Sequence, residues 1–191
     1  MSDFPTLQPA MTIRISIDPA IAVGSASKGT PLAVVPMTGG TIKSEEGFEP
    51  RLDAEFHGVG YDYIRQDPSG EYMRLDVRSQ VKNHDGGLLA LCYTGIIKIT
   101  EGIGKVLAGA DDAATVPYGD AFTHLTFEVR PDFYSSSSSC PLLSHENLAQ
   151  TGSEALRPLE TMVFVSAGRF VVEKGEAPVV EYKVSRVVAG R

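Results

Sequence analysis

The sequence contains no tryptophan, only two cysteines, and no long run of apolar or basic residues. Because nowhere do 18 apolar residues follow one another, and because the N-terminus lacks a basic segment followed by an apolar one, we expect neither a transmembrane helix nor a secretion signal. Nucleic-acid binding needs clustered lysine and arginine, so the lack of such clusters and a net charge of −7 argue against it. We therefore expect a cytoplasmic protein without nucleic-acid or membrane partners.

Residues that bind metals or act as nucleophiles are scarce and scattered. Cys92 lies in a predicted buried strand and Cys140 in a predicted loop, which favours two free thiols over a disulfide. None of the four histidines has H-x-H or H-E-x-x-H spacing. The sequence has no G-x-S-x-G elbow, and the glycines that follow residue 100 match neither phosphate-loop pattern. We expect no metal site, no covalent nucleophile and no cofactor.

The clearest positive signal is a pair of strand-like runs on either side of Asn83-His84-Asp85-Gly86. An Asp-Gly pair supplies the positive φ angle that a tight hairpin turn requires. In the first arm, apolar residues at 73, 75, 77 and 81 alternate with polar ones, which is typical of a strand with one buried face. This stretch predicts an antiparallel β-hairpin.

The same alternation predicts strands at 11–17, 122–130, 161–173 and 178–188. Residues 50–65 form one further strand, in which Gly58 and Gly60 allow sharp curvature. A strand that begins after Pro31 is expected to break and resume near Gly39-Gly40. Residues 101–112 are the best helical segment, although three glycines keep any helix short.

These elements predict an all-β fold: a single antiparallel barrel of about eight to ten strands, lipocalin- or calycin-like in general shape, with one or two short helices. The length of 191 residues fits one domain. We expect residues 1–10 to be an N-terminal tail and residues 11–191 to form the barrel. Residues 132–158, with five consecutive serines, are a long insertion expected to act as a lid.

Three residues are candidates for catalysis: Asp62, Tyr93 and His124. Asp62 shares its strand parity with apolar and small residues, and burial raises the pKa of a carboxyl group toward the range that suits proton transfer. Tyr93 lies on the more apolar hairpin arm and is expected to line a cavity, while His124 would orient polar groups. The alternatives are an Asp62 that satisfies a backbone group, a core Tyr93 and a solvent-exposed His124.

Five further residues are candidates for substrate binding: Tyr61, Tyr63, Asp76, Arg78 and Glu128. Asp76 and Arg78 share one strand face, as do His124 and Glu128, and closure of a barrel could bring these groups opposite Asp62 or Tyr93. For Asp76 and Arg78 the alternative is a cross-strand ion pair that holds strand register.

Several motifs together resemble a known family. These are MTGGTI (37–42), the run from Gly58 to Gly95, FEVRPDF (127–133) and VFVSAGRF (163–170). As a set, they are similar to domain-of-unknown-function family 3237, small barrel proteins of bacteria and fungi. The resemblance covers residues 11 to 188, although the family's tryptophans are missing and the serine-rich insertion replaces a short W-L-N approach to the penultimate strand. It implies a compact antiparallel barrel with a cavity, and some fungal relatives are associated with natural-product pathways.

Three functional hypotheses follow. The leading one is a cofactor-independent isomerase or cyclase that folds a small hydrophobic polyketide or terpenoid intermediate by positioning and acid/base catalysis. The second is a non-catalytic barrel that binds or carries a hydrophobic small molecule. The third is a structural dimerising domain with a filled barrel, and a homodimer is also compatible with the first two.

Overall fold

The computed structural model describes residues 3–24, 27–129, 154–173 and 175–190. The ten strands of these residues are β1 (Thr6–Ile17), β2 (Ile21–Ala22), β3 (Leu32–Ser44), β4 (Asp53–Phe56), β5 (Gly60–Gln66), β6 (Tyr72–Asn83), β7 (Leu88–Lys98), β8 (Ala121–Val129), β9 (Phe164–Val171) and β10 (Val179–Val188). The two helices are the short α1 (Glu101–Leu107) and a 3₁₀ helix (Glu154–Thr161). No helix in these ranges is both long and apolar enough to cross a membrane.

Eight strands close into an antiparallel barrel in the order β1-β3-β5-β6-β7-β8-β9-β10, because β1 pairs with both β3 and β10. The two extra strands, β2 and β4, pair with β3. Closure leaves every barrel strand with a neighbour on each side, which removes exposed sheet edges. The predicted antiparallel barrel of eight to ten strands is confirmed.

The central hairpin joins β6 to β7 through the turn predicted at residues 83–86. The backbone N–H of Gly86 donates to the carbonyl of Asn83, and Gly86 has a φ of +94°. Along β6 the predicted inward residues, Met73, Leu75 and Val77, are buried. This hairpin therefore agrees with the sequence prediction in its turn and in the buried face of β6.

The strand break falls in a different place from the one expected. β3 runs without interruption through Pro36 and Gly40, whereas residues 50–65 split into β4 and β5, which together fill the gap between β3 and β6. A Cβ on Gly40 would lie 2.2 Å from the carbonyl oxygen of Arg14, so this glycine allows β1 to approach closely. The actual break contains Gly58, with a φ of +72°.

The expected N-terminal tail is wrong from Thr6 onward. β1 begins at Thr6, which pairs with Val188 of β10. Pro9 has no N–H to donate, but the register of this pair shifts between Pro9 and Met11, and such an irregularity accommodates a proline within a sheet. β1 thus continues through Pro9, although proline usually interrupts a strand.

The two barrel ends are closed differently. At one end Phe48, Phe127 and Phe164 pack edge to face, with ring centroids 5.6 and 6.1 Å apart, beside the 3₁₀ helix. At the other end α1 contributes the buried residues Ile103 and Val106. The first end is filled by aromatic side chains, so any internal space must lie toward α1.

Helix α1 is shorter than the predicted span of 101–112. It ends at Leu107, where the N–H of Gly109 donates to Val106 and the N–H of Ala110 donates to Lys105, in the pattern of a Schellman motif. Gly109 has a φ of +62°, a conformation that glycine adopts without steric cost. The prediction of a short helix is thus confirmed, and the Schellman motif explains where the helix ends.

The predicted lid at 132–158 lies outside the described residues up to residue 153. Its last five residues begin the 3₁₀ helix, in which Leu156 and Leu159 are buried in the core. This end of the insertion is therefore packed against the barrel.

Candidate functional site

A cavity of about 60 Å³ lies inside the barrel toward α1. Most of its lining is apolar: Ile15, Ile17, Val35, Met37, Ile64, Met73, Leu75, Ile97, Leu107, Phe170 and Val180. Leu107 of α1 is half exposed, so the cavity reaches the barrel mouth. Three side chains in the lining carry an ionisable oxygen: Asp62, Tyr93 and Tyr182.

Asp62 faces inward because β5 alternates strictly. Gly60, Asp62 and Ile64 face the interior, whereas Tyr61 and Tyr63 face outward. Only 8% of Asp62 is exposed, and its Oδ1 accepts a hydrogen bond of 3.2 Å from the backbone N–H of Asp76. Within the described ranges, no lysine, arginine or histidine forms an ion pair with it.

The environment of Asp62 disfavours its charged form. Burial raises the pKa of this carboxyl group to about 7; the hydrogen bond from Asp76 opposes the rise, and the negative charge of the Asp76 side chain adds to it. Near neutral pH both the acid and the carboxylate are populated, so Asp62 can donate or accept a proton.

Tyr93 and Tyr182 form the rest of the polar lining. Their rings pack edge to face with centroids 5.5 Å apart, and both side chains are almost fully buried. The Tyr93 hydroxyl donates to the sulfur of Met37 at 3.8 Å. Burial raises the pKa of both hydroxyls above the ordinary value for tyrosine. The charges of Tyr182 and then Asp62 add to the rise at Tyr93, whereas at Tyr182 the Asp62 charge adds to the rise and a hydrogen bond with Tyr93 opposes it. Both groups therefore remain hydrogen-bond donors at neutral pH.

Tyr182 is the polar cavity residue that was missed in the sequence. It shares its parity on β10 with Val180 and Val184, so alternation alone would assign it to the interior. Its proximity to Tyr93 depends on the pairing of β10 with β9, of β9 with β8 and of β8 with β7, which sequence alternation does not specify. The sequence signal for this cavity residue was a tyrosine on the apolar, inward-facing side of the last strand.

Gly168 on β9 makes room for the Tyr182 ring. The two residues are direct cross-strand partners, and a Cβ on Gly168 would lie 2.5 Å from Cε1 of Tyr182. We expect Gly168→Ala to displace the ring and to lower the free energy of unfolding by about 1–3 kcal/mol, as overpacked core substitutions do. Urea unfolding with tyrosine fluorescence measures this. The matched control is Gly104→Ala, where nothing lies within 4 Å of the added Cβ; equal stabilities for both variants would contradict the steric role.

The other predicted site residues lie on the outer wall. His124, Asp76, Arg78, Tyr61, Tyr63 and Glu128 are exposed, and each has the opposite parity to the buried residues of its strand. The hypothesis that they share a cavity with Asp62 is therefore wrong, because a strand in a closed barrel has one interior face and the apolar residues occupy it. Three of them, Asp76, Arg78 and His124, instead line a separate open pocket of about 110 Å³, which Tyr93 also borders. Arg78 Nε lies 3.5 Å from Asp76 Oδ1, but both residues belong to β6, so this ion pair does not hold the register between two strands.

A larger open groove of about 800 Å³ crosses the outer faces of β6 to β10 and reaches Leu7 of β1. Its charged groups are already paired: Arg74 with Asp67 at 2.9 Å and Lys183 with Glu45 at 2.9 Å. Its apolar residues include the exposed Leu7 and Phe122. The interior cavity contains the buried ionisable groups, which makes it the better candidate for chemistry. Across the described part of the chain, no three metal-binding side chains cluster.

Comparison with known proteins gives the following matches. A family described as "Protein of unknown function (DUF3237)" matches residues 5–137. A crystal structure of a conserved protein of unknown function from Rhodopseudomonas palustris has a TM-score of 0.68 at 18% identity, covering 98% of this chain and 100% of that one. A β-barrel-like protein from Acinetobacter baumannii has a TM-score of 0.65 at 18% identity, covering 98% and 99% of the two chains. A protein of unknown function from Clostridium acetobutylicum has a TM-score of 0.64 at 16% identity, covering 97% and 100%. No curated protein matches the chain.

Proposed function

This chain belongs to the DUF3237 family, as its motifs predicted, and we propose that it is a cofactor-independent isomerase or cyclase for a small hydrophobic substrate. One observation supports the proposal. The buried Asp62 carboxyl group lines an apolar cavity together with the hydroxyls of Tyr93 and Tyr182, and it has no cationic partner among the described residues. A structural role would favour an apolar residue there, since burying an ionisable group without a partner costs free energy.

In the proposed reaction Asp62 transfers the proton. Because its pKa is about 7, the carboxylate and the acid are both present at neutral pH. A group that alternately takes and returns a proton needs both forms. Tyr93 and Tyr182 would donate hydrogen bonds to an oxygen of the substrate, and the apolar lining would hold the substrate near its reactive conformation.

The size of the cavity limits what enters it. Ligand pockets commonly measure roughly 300–1,000 Å³, and this cavity has about 60 Å³. The reactive end of a substrate would occupy it, while the remainder would extend past Leu107 at the barrel mouth. A polyketide or terpenoid intermediate, the substrate type that the family resemblance suggested, would need α1 to move outward.

A carrier of hydrophobic small molecules is the second candidate, favoured by the predominance of apolar side chains in the lining.

A homodimer also remains a proposal, supported by the exposed Leu7 and Phe122 on the outer groove. A cytoplasmic location belongs to the same proposal and is supported by the free thiol of Cys92.

The proposed function is tested by deuterium exchange. Wild-type protein in D₂O is mixed with acetone, cyclopentanone or cyclohex-2-enone, and proton NMR follows loss of the hydrogens next to the carbonyl. We expect exchange faster than in buffer for at least one ketone, with His124→Gln as an active control because His124 lies on the outer wall.

The alternatives give different results in the same samples. Binding of a ketone without exchange would favour the carrier. Neither binding nor exchange, together with a dimeric mass in sedimentation, would favour the structural domain.

A further inference from the structure

We propose that the cavity recognises a ketone or enone through its carbonyl oxygen and stabilises the corresponding enolate. This inference names the substrate class and rests on the proposed function. The geometry behind it is a set of one carboxyl group and two tyrosine hydroxyls, from β5, β7 and β10, that line one small apolar space. Among the described lining residues there is no lysine, arginine or histidine.

The Tyr93 hydroxyl has a weak acceptor in this structure. Its hydrogen-bond partners are the Tyr182 hydroxyl and the thioether of Met37, both uncharged, and thioether sulfur accepts hydrogen bonds poorly. Tyr93 is 5% exposed, so its hydroxyl lies in the barrel interior. A carbonyl oxygen in the cavity would replace the sulfur with a stronger acceptor, and an enolate oxygen would be stronger still.

Neighbouring groups favour an oxygen ligand over an organic cation. The backbone N–H of Asp76 already donates to Asp62 Oδ1, which occupies part of the carboxylate that a cation would need. The Tyr93 and Tyr182 rings contact each other edge to face, so they do not form an open pair of faces around a cation. Each protonated tyrosine hydroxyl, in contrast, has an O–H that can donate a hydrogen bond to an oxygen ligand.

The proposed step conserves atoms and electrons without a co-reactant. The Asp62 carboxylate removes a proton from the carbon next to the carbonyl, forming an O–H bond as the C–H bond breaks. The electron pair moves onto the carbonyl oxygen, where Tyr93 and Tyr182 donate hydrogen bonds to the resulting enolate. After its proton has exchanged with solvent, Asp62 protonates the same carbon, which gives hydrogen exchange. When the substrate is a β,γ-unsaturated ketone, Asp62 can instead protonate the γ-carbon of the dienolate, which gives the conjugated enone.

Phenols test this recognition because a phenolate resembles an enolate in shape and charge. Full-length protein is titrated with phenol, 4-nitrophenol and benzylamine, and binding is followed by NMR chemical shifts. We expect 4-nitrophenol to bind more tightly than phenol and benzylamine to bind more weakly than either. Tyr93→Phe and Tyr182→Phe should each weaken 4-nitrophenol binding by about tenfold or more, the usual effect of removing a hydrogen bond to a charged oxygen.

The control is Tyr63→Phe, which makes the same chemical change on the outer wall and should leave binding unchanged. Circular dichroism checks that each variant is folded, and the two buried tyrosines give independent tests. Preferential binding of benzylamine, binding insensitive to both tyrosines, or no binding of any probe would overturn the inference. Phenol binding that depends on both tyrosines, without ketone exchange, would uphold oxygen recognition and refute the proposed catalysis.

Discussion

Replacing Asp62 by asparagine is expected to slow ketone exchange by about a hundredfold or more, the contribution typical of a general acid or base. The amide keeps the size of the side chain and an oxygen that can accept the hydrogen bond from Asp76. It cannot exchange a proton at neutral pH, so the variant separates proton transfer from packing. Initial rates measured by proton NMR with the ketone that the wild type exchanges fastest give the ratio.

Glu128→Gln is the matched control, because it makes the same carboxyl-to-amide change on the outer face of β8. Its rate should equal that of the wild type. A loss of about tenfold or less for Asp62→Asn falls below the range of a general acid or base. Such a result, with ligand binding retained, would favour the carrier over the enzyme.

The second large effect of Asp62→Asn is expected on the pH dependence of stability. The pKa of Asp62 is about 7 in the folded protein and 3.8 in the absence of burial. As pH rises between these values, the unfolded chain loses the proton while the folded chain keeps it. The folded state binds more protons there, so the Asp62 contribution lowers stability as pH increases, by on the order of 4 kcal/mol across the whole interval.

The asparagine variant lacks this titration. Its free energy of unfolding, relative to the wild type, should therefore rise between pH 4 and pH 8, and urea unfolding at both pH values measures the change. The other ionisable groups are the same in both proteins, so their contributions to the pH dependence cancel in the comparison. They include Tyr93, Tyr182 and Asp76 around Asp62, and also Glu45 and Glu181, whose pKa values are lowered. A stability difference that does not change with pH would show that Asp62 has an ordinary pKa.

Much of the barrel was predictable because a strand records its buried face in its own alternation. Leu75 and Val77 are internal on β6, as are Leu125 and Phe127 on β8, and each set was visible as every second residue. The Asp-Gly turn specified one strand pairing by local backbone conformation. The inward position of Asp62 follows from the same local rule applied to β5.

The mistaken site residues show how far this rule extends. Asp76 and His124 have the opposite parity to the apolar residues of their strands, and closure of the barrel around the apolar faces places both on the outer wall. The parity of Asp76 and His124 can be read from the sequence. It places them on the outer wall only because a closed barrel has a single interior.

Alternation along each chain segment thus determined which residues face inward, because side chains of a strand point to opposite sides in turn. Only the tertiary structure decided which inward residues meet. Tyr182 lies beside Tyr93 through the pairing of β10, β9, β8 and β7, and Gly168 provides the space for its ring. The cavity likewise exists because aromatic side chains fill one end of the barrel and leave the α1 end incompletely packed. Packing depends on contacts between residues that are distant in the sequence, so no local pattern could specify it.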